Sequence, residues 1–288
     1  MSATALTPLL EEIMQAADRL PPFPQVVNKV MPLIRSMASP AEIEAVIQLD
    51  PAIASRVLAM SQSPLFSRRK SIDSIRDAVL SLGNRQLVEI ILAACASKYF
   101  TAHALGYDLQ EGELWEHAVG TAILADRVAQ EIDSPHRFVA YTGGLLHDIG
   151  KTIMSFYVED YFESIFQLVK EKNMPFLHAE RQILGIDHQQ LGALIAHRWK
   201  FPSAVITAIG CHHSPQKAKE HQEVAGIVYV ANRLVSAVGI GCGVDGFLQP
   251  NGDEVFSRLK ITSRMIEMFM ADVVMALDET QQFLSVSS

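Results

Sequence analysis

Two pairs of adjacent polar residues interrupt otherwise apolar stretches of this 288-residue chain: His147-Asp148 and His212-His213. Imidazole and carboxylate together suit iron, manganese, zinc or nickel better than calcium or magnesium. A carboxylate such as Asp148 has two oxygens, so it can bridge two ions and help activate a water nucleophile. Further ligand types lie around the pairs. His117 follows Glu113 by four residues, on one helical face. His188 follows Asp187, a helix-capping residue type, and Asn232 lies in the apolar stretch from Ile227 to Leu234. Lys151, four residues after His147, is placed to reach a phosphate oxygen. Leaving both pairs buried and unsatisfied would cost roughly 1–3 kcal/mol per group, which favours a ligand over chance. By contrast His103, His136, His178, His197 and His221 stand alone and read as hydrogen-bonded core or surface residues.

Neighbours on a regular helix diverge by about 100°, so an adjacent pair shares one ion only where the helix ends. Gly150 is expected to supply that end after His147-Asp148 by adopting a left-handed conformation. Ser214-Pro215 marks the end after His212-His213. Helix start signals recur along the chain, and alternating strand patterns are nearly absent. Thr7-Pro8, Asp50-Pro51 and Ser134-Pro135 pair a cap with a proline, and Ser39-Pro40-Ala41-Glu42 has capping-box spacing. Gly83 reads as a helix stop, with Asn84 opening the next helix. Later helices are expected over about 113–131, 135–147, 157–172, 188–199, 203–211, 221–240 and 261–278. Thr101 to Gly112 breaks the periodicity, so residues 1–110 form an N-terminal helical part and 111–288 a second helical domain. The fold class is all-α.

Composition narrows the function. Formal net charge is -8. Residues 1–110 carry ten basic and ten acidic side chains, so the excess negative charge lies in 111–288. That half is a poor partner for a phosphate backbone, and the one basic run, Arg68-Arg69-Lys70, reads as a solvated loop. Nucleic acid is therefore not an expected partner. The start of the chain carries Glu11, Glu12 and Asp18 in a helical pattern and does not resemble a signal peptide. No uncharged apolar stretch reaches spanning length, so a cytoplasmic protein without a membrane partner is expected. Cys95, Cys211 and Cys242 are odd in number and widely spaced, which points to buried free thiols.

The ordered set Glu113, His117, His147-Asp148, Lys151, His188 and His212-His213 resembles the HD superfamily of metal-dependent phosphohydrolases. A wider match is to its HDOD branch, the HD-related output domain of bacterial signalling. It begins at Leu20-Pro21-Pro22-Phe23-Pro24 and continues through Asp50-Pro51-Ala52, Arg56-Val57-Leu58, Ser71-Ile72 and Ala78 to Gly83. It resumes at Trp115-Glu116-His117, at Gly144 to Lys151, and at Leu184 to His188 with Leu191-Gly192-Ala193. Trp199-Lys200-Phe201-Pro202 and His212-His213 close it.

The resemblance implies an HD-like helical bundle with an N-terminal helical subdomain, in a signalling context. It also implies one or two divalent transition metals, iron or manganese ahead of zinc or nickel. The ligands would be His117, His147, Asp148, His188, His212 and His213, with Glu113 and Asn232 secondary. Two departures bear on catalysis. Asn232 stands where HD enzymes carry a final aspartate ligand. His212-His213 leads into Ser214-Pro215-Gln216-Lys217, without the Gly-Tyr-Pro of the branch that cleaves cyclic di-GMP. The expected function is a regulatory module acting on signalling proteins, with a nucleotide or phosphate as possible cue. The alternatives are a working phosphohydrolase, with Asp148 holding the activated water and Lys151 stabilising phosphoryl charge, or a metal-free interaction scaffold.

Overall fold

The computed structural model describes residues 8–62, 72–100, 103–246 and 252–284. The basic run Arg68-Arg69-Lys70, Thr7, Ser71 and Thr101 lie outside the described residues. Among those described, all regular elements are helices, and only an isolated bridge links Ala104 to Leu109. The all-α class is therefore what the chain adopts.

The helices run α1 (Pro8–Asp18), α2 (Gln25–Arg35), α3 (Pro40–Ile47), α4 (Pro51–Gln62), α5 (Ile75–Ala96), α6 (Glu113–Glu131) and α7 (Arg137–Leu146). They continue through α8 (Lys151–Asp160), α9 (Phe162–Lys172), α10 (Phe176–Leu184), α11 (His188–Arg198), α12 (Ser203–Cys211), α13 (Gln222–Ala237), α14 (Asp253–Arg258) and α15 (Ser263–Leu284). The Ser39 capping box forms as expected, with Glu42 reaching back to the Ser39 N–H at 2.9 Å. Gly83 breaks α5 with φ 72°. Ser134 does not cap α7; its Oγ accepts from the His136 N–H at 3.2 Å and donates to Glu223. The expected 157–172 helix is two helices, parted at Tyr161, while α10 and α14 were not expected.

The chain divides into two units. One holds the residues up to Pro22 with Tyr99–Ala271, the other Phe23–Lys98 with the chain from Asp272 onward. This differs from a single cut near residue 110, because α1 packs on α8 and α11 and so belongs with the larger unit. In the smaller unit α2, α3 and α4 gather around α5, whose run from Leu87 to Ala96 is buried throughout. Ile75–Tyr99 is long and apolar enough to cross a membrane by length and composition, a feature the sequence reading did not anticipate. It is also 67% buried, which marks a core helix. Of the three free thiols only Cys95 is buried; Cys211 is half-buried and Cys242 exposed.

In the larger unit α6 lies between α7 and α13, and α12 packs on α7, α11 and α13. Small residues bring these axes close. A Cβ at Gly144 would lie 2.8 Å from the Thr121 carbonyl oxygen, and one at Gly143 would lie 2.7 Å from the Ala208 Cβ. Tight packing of this kind fixes the helix ends that carry the polar pairs.

Candidate metal centre

His147 keeps helical backbone at the end of α7, and residues 147–150 form a turn leading into α8. Gly150 is right-handed, with φ −63° and ψ −31°, so the expected left-handed stop does not occur. Its reason for being glycine is steric. A Cβ there would overlap the His188 carbonyl oxygen and lie 2.9 Å from the Gly192 nitrogen. Gly150 thus admits the first turn of α11 against the His147-Asp148 turn.

The remaining groups arrive on four other elements. His117 projects from α6 and Asn232 from α13. His188 opens α11 behind Asp187, which caps the helix in a capping box with Gln190 and pairs with Arg181. His212 caps the end of α12, and the His213 N–H donates to Gln189 Oε1 at 2.8 Å. Asp148 stands at the centre. Its Oδ2 lies 3.2 Å from His147 Nε2 and 3.8 Å from His117 Nε2. Its Oδ1 lies 3.5 Å from His212 Nε2 and 3.8 Å from His188 Nε2. Two three-residue groups result, His117–His147–Asp148 and His188–His212–His213, each with its ligand atoms within 4.8 Å of one another.

Four of the imidazoles are tethered by the same nitrogen. His147 Nδ1 contacts the Gly144 carbonyl at 2.7 Å, His212 Nδ1 the Ile209 carbonyl at 2.7 Å, and His117 Nδ1 the Ile240 carbonyl at 2.9 Å. His188 Nδ1 contacts Glu180 Oε2 at 2.9 Å. Each partner is an acceptor, so Nδ1 carries the proton, and on the neutral rings of His147, His212 and His117 Nε2 is left to present a lone pair inward. Among the described residues, five buried side-chain atoms lack an aligned hydrogen bond, and four are His147 Nε2, His212 Nε2 and the two Asp148 oxygens. Asp148 Oδ2 has the Lys151 ammonium at 2.8 Å, which leaves three such atoms, and at about 1–3 kcal/mol each they are a cost that a shared cation offsets. The donor set therefore fits a transition metal. His117 Nε2 and Asn232 Oδ1 stand 3.0 Å apart. With Nδ1 protonated both are acceptors, so either the Asn232 amide presents its NH2 to the ring or the two share a cation.

Electrostatics agree with ligand readiness. Burial, with His147 close by, pulls His117 down to about 4. Burial likewise lowers His147 and His212, and pulls His213 well down, with His212 and His188 adding to the effect. These rings are neutral at neutral pH. His188 differs: burial opposes its charged form, but the Glu180 carboxylate outweighs it and pushes the ring up to about 9. Burial alone would raise Asp148, yet the neighbouring His147 and Lys151 hold it well below the usual carboxylate range.

Not every expected residue joins. Glu113 sits one turn before His117, but its carboxylate accepts the Gln110 N–H at 2.7 Å, and it belongs to neither ligand group. Lys151 is buried, its ammonium 2.8 Å from Asp148 Oδ2 and 2.7 Å from Asp245 Oδ2. It is not a free phosphate contact. The lone histidines His103, His136, His178 and His197 are exposed and His221 half-buried, all outside both groups. Three participants were missed in the sequence. Glu180, fully buried, accepts from both His188 and the Tyr107 hydroxyl, the latter at 2.5 Å. Asp245 lies in the glycine-rich run Gly239 to Gly246, whose composition was the available signal.

A family model described as the HDOD domain matches residues 20–215. This chain belongs to the HDOD family. An HDOD domain protein of unknown function from Geobacter sulfurreducens is 25% identical, with a TM-score of 0.71 over 96% of this chain and 94% of that one. A Marinobacter aquaeolei protein, provisionally named for signal transduction, shares the HDOD chain's fold at 19% identity and a TM-score of 0.73, over 99% of this chain and 68% of that one. An uncharacterized Treponema pallidum protein is 25% identical over 225 residues, 76% of this chain and 43% of its own length. The HDOD chain spans less than half the length of the curated relatives it matches.

Proposed function

We propose that this HDOD chain is a bacterial signalling output module that retains an HD-type metal site and acts through partner proteins in the cytoplasm. His117, His147, Asp148, His188, His212 and His213 would hold one or two divalent transition ions, iron or manganese ahead of zinc or nickel. The observation that carries this is the set of inward Nε2 atoms around the buried Asp148, whose Oδ1, with His147 Nε2 and His212 Nε2, lacks an aligned hydrogen bond. A bound ion would supply Lewis acidity there. The acidic balance of residues 111–288 supports a protein or small-anion partner over a polynucleotide.

The second reading is a working phosphohydrolase. It is favoured by Asp148 facing one ligand group with each oxygen, the placement expected of a bridging carboxylate. Against turnover stand the neutral Asn232 and a Lys151 already paired with two carboxylates. Elemental analysis of protein purified without chelator tests both. Transition metal near one or two ions per chain is expected, lost in Asp148→Ala and kept in the controls His178→Ala and His197→Ala. Protein that never carries metal would leave a metal-free scaffold, and equal loss in all three variants would show the ligand assignment to be wrong.

A further inference from the structure

The Lys151 ammonium has three N–H donors. Two face Asp148 Oδ2 at 2.8 Å and Asp245 Oδ2 at 2.7 Å. On a third side lies the face of Tyr107, 5.2 Å from Nζ to the ring centroid. Lys151 is therefore saturated, and no external oxyanion reaches it unless one partner leaves. Asp148 is fixed in the turn that carries His147. Asp245 comes instead from the irregular segment after α13, where Gly239 and Gly241 both have positive φ.

That segment lies along the mouth of the site. The Ile240 carbonyl holds His117 Nδ1 at 2.9 Å. A Cβ at Gly241 would lie 2.7 Å from the His117 Cβ, so only glycine lets the chain pass this close. A small opening is lined by Lys151, Asp245, Asn232, His117, Cys242 and Gly243. Cys242 is exposed, whereas Asp245 is 7% exposed, so the carboxylate plugs the inner end of an opening that begins at the surface. The same ammonium thus holds two carboxylates, one carried by the His147-Asp148 turn and the other by the irregular segment that lines the opening.

We propose that Lys151 forms an oxyanion seat for a phosphoryl group, that Asp245 is its resident occupant, and that phosphate entry requires the 239–246 segment to release that carboxylate. This deepens the reading above, because it names the ligand class and the entry control of the same site, and it rests on that reading for the metal alongside. A seat filled by an internal group binds an external one more weakly by the fraction of time it stands open.

The test is calorimetric titration with inorganic phosphate, on manganese-loaded and on metal-stripped protein, with acetate as a carboxylate control. Asp245→Asn should bind phosphate about tenfold or more tightly than the wild type, and Asp245→Asn/Lys151→Met should lose the gain. Phosphate binding no tighter in Asp245→Asn, with the fold intact by circular dichroism, overturns the proposal. So does a gain that survives loss of Lys151, or one that acetate reproduces equally. Should Asp245→Asn fail to fold, amide hydrogen exchange on the wild type decides. Saturating phosphate should speed exchange over residues 239–246, and unchanged or slowed exchange refutes the displacement. Absence of bound metal in every variant would overturn the metal reading, while the metal-stripped titration still judges the seat.

Discussion

Glu180 and His188 form a fully buried pair, with Glu180 Oε2 2.9 Å from His188 Nδ1 and the Tyr107 hydroxyl donating to the other carboxylate oxygen. The carboxylate orients the ring, fixes its tautomer and raises its basicity, as an outer partner does for a metal-binding imidazole. Neutralising it should weaken the metal centre without touching a ligand. Glu180→Gln is expected to lower metal affinity about 10–100-fold in a chelator competition titration. Unchanged affinity would show that Glu180 serves packing alone.

The metal-free protein should have a pH optimum of stability near the ordinary histidine value. His188, pushed up to about 9, binds a proton more tightly folded than unfolded. Its contribution is therefore full below about 6.5 and is lost as pH rises through about 9. His117, pulled down to about 4, acts in the opposite sense. The unfolded ring takes a proton that the folded one refuses, so stability falls as pH drops below about 6.5 towards 4. Thermal midpoints between pH 4 and 10 should trace a dome, and Glu180→Gln should flatten its alkaline side. A midpoint that climbs steadily through pH 9 would contradict the assignment.

Gly150→Ala should destabilise the larger unit, because the new methyl meets the backbone of His188 and Gly192 and neither is a flexible side-chain tip. Overpacking against backbone costs about 1–3 kcal/mol and occasionally more. Denaturant unfolding measures it, and metal content should fall in step as α11 is pushed away from Asp148. A neutral Gly150→Ala would mean the α11 contact is looser than the geometry indicates.

Much of this candidate site was legible in the sequence because four of its candidate ligands come in adjacent pairs at helix ends, where caps and prolines leave local signals. His188 behind Asp187 and His212-His213 before Ser214-Pro215 are of that kind, and both stand where the signals put them. The supporting residues were not legible, because their roles depend on tertiary approach. Glu180 meets His188 only because α10 folds back ahead of α11, and α10 carries no strong start signal beyond Pro175. Asp245 reaches Lys151 across 94 residues of sequence, through a loop whose glycines mark closeness without saying to what. Gly150 was rightly singled out for the wrong reason. A missing Cβ and a positive φ leave the same letter in a sequence, and here the close approach to His188 is the cause.

The last prediction concerns turnover. Asn232 Oδ1 stands 3.0 Å from His117 Nε2, so position 232 already faces the inner edge of the His117–His147–Asp148 group. An amide there is neutral, and the group has Asp148 as its single carboxylate. Asn232→Asp introduces a negative charge at nearly constant volume, next to the His117 ring. It should raise metal retention on dialysis and, with it, hydrolysis of a chromogenic phosphodiester. The unmodified protein should show little activity on cyclic di-GMP, since its Lys151 is taken up by Asp148 and Asp245. Two results would reverse this ranking. Asn232→Asp protein with unaltered metal content would show that the missing carboxylate is not the limiting defect. Rapid cyclic di-GMP cleavage by the unmodified chain, abolished in Asp148→Ala, would place the enzyme reading above the signalling-module reading.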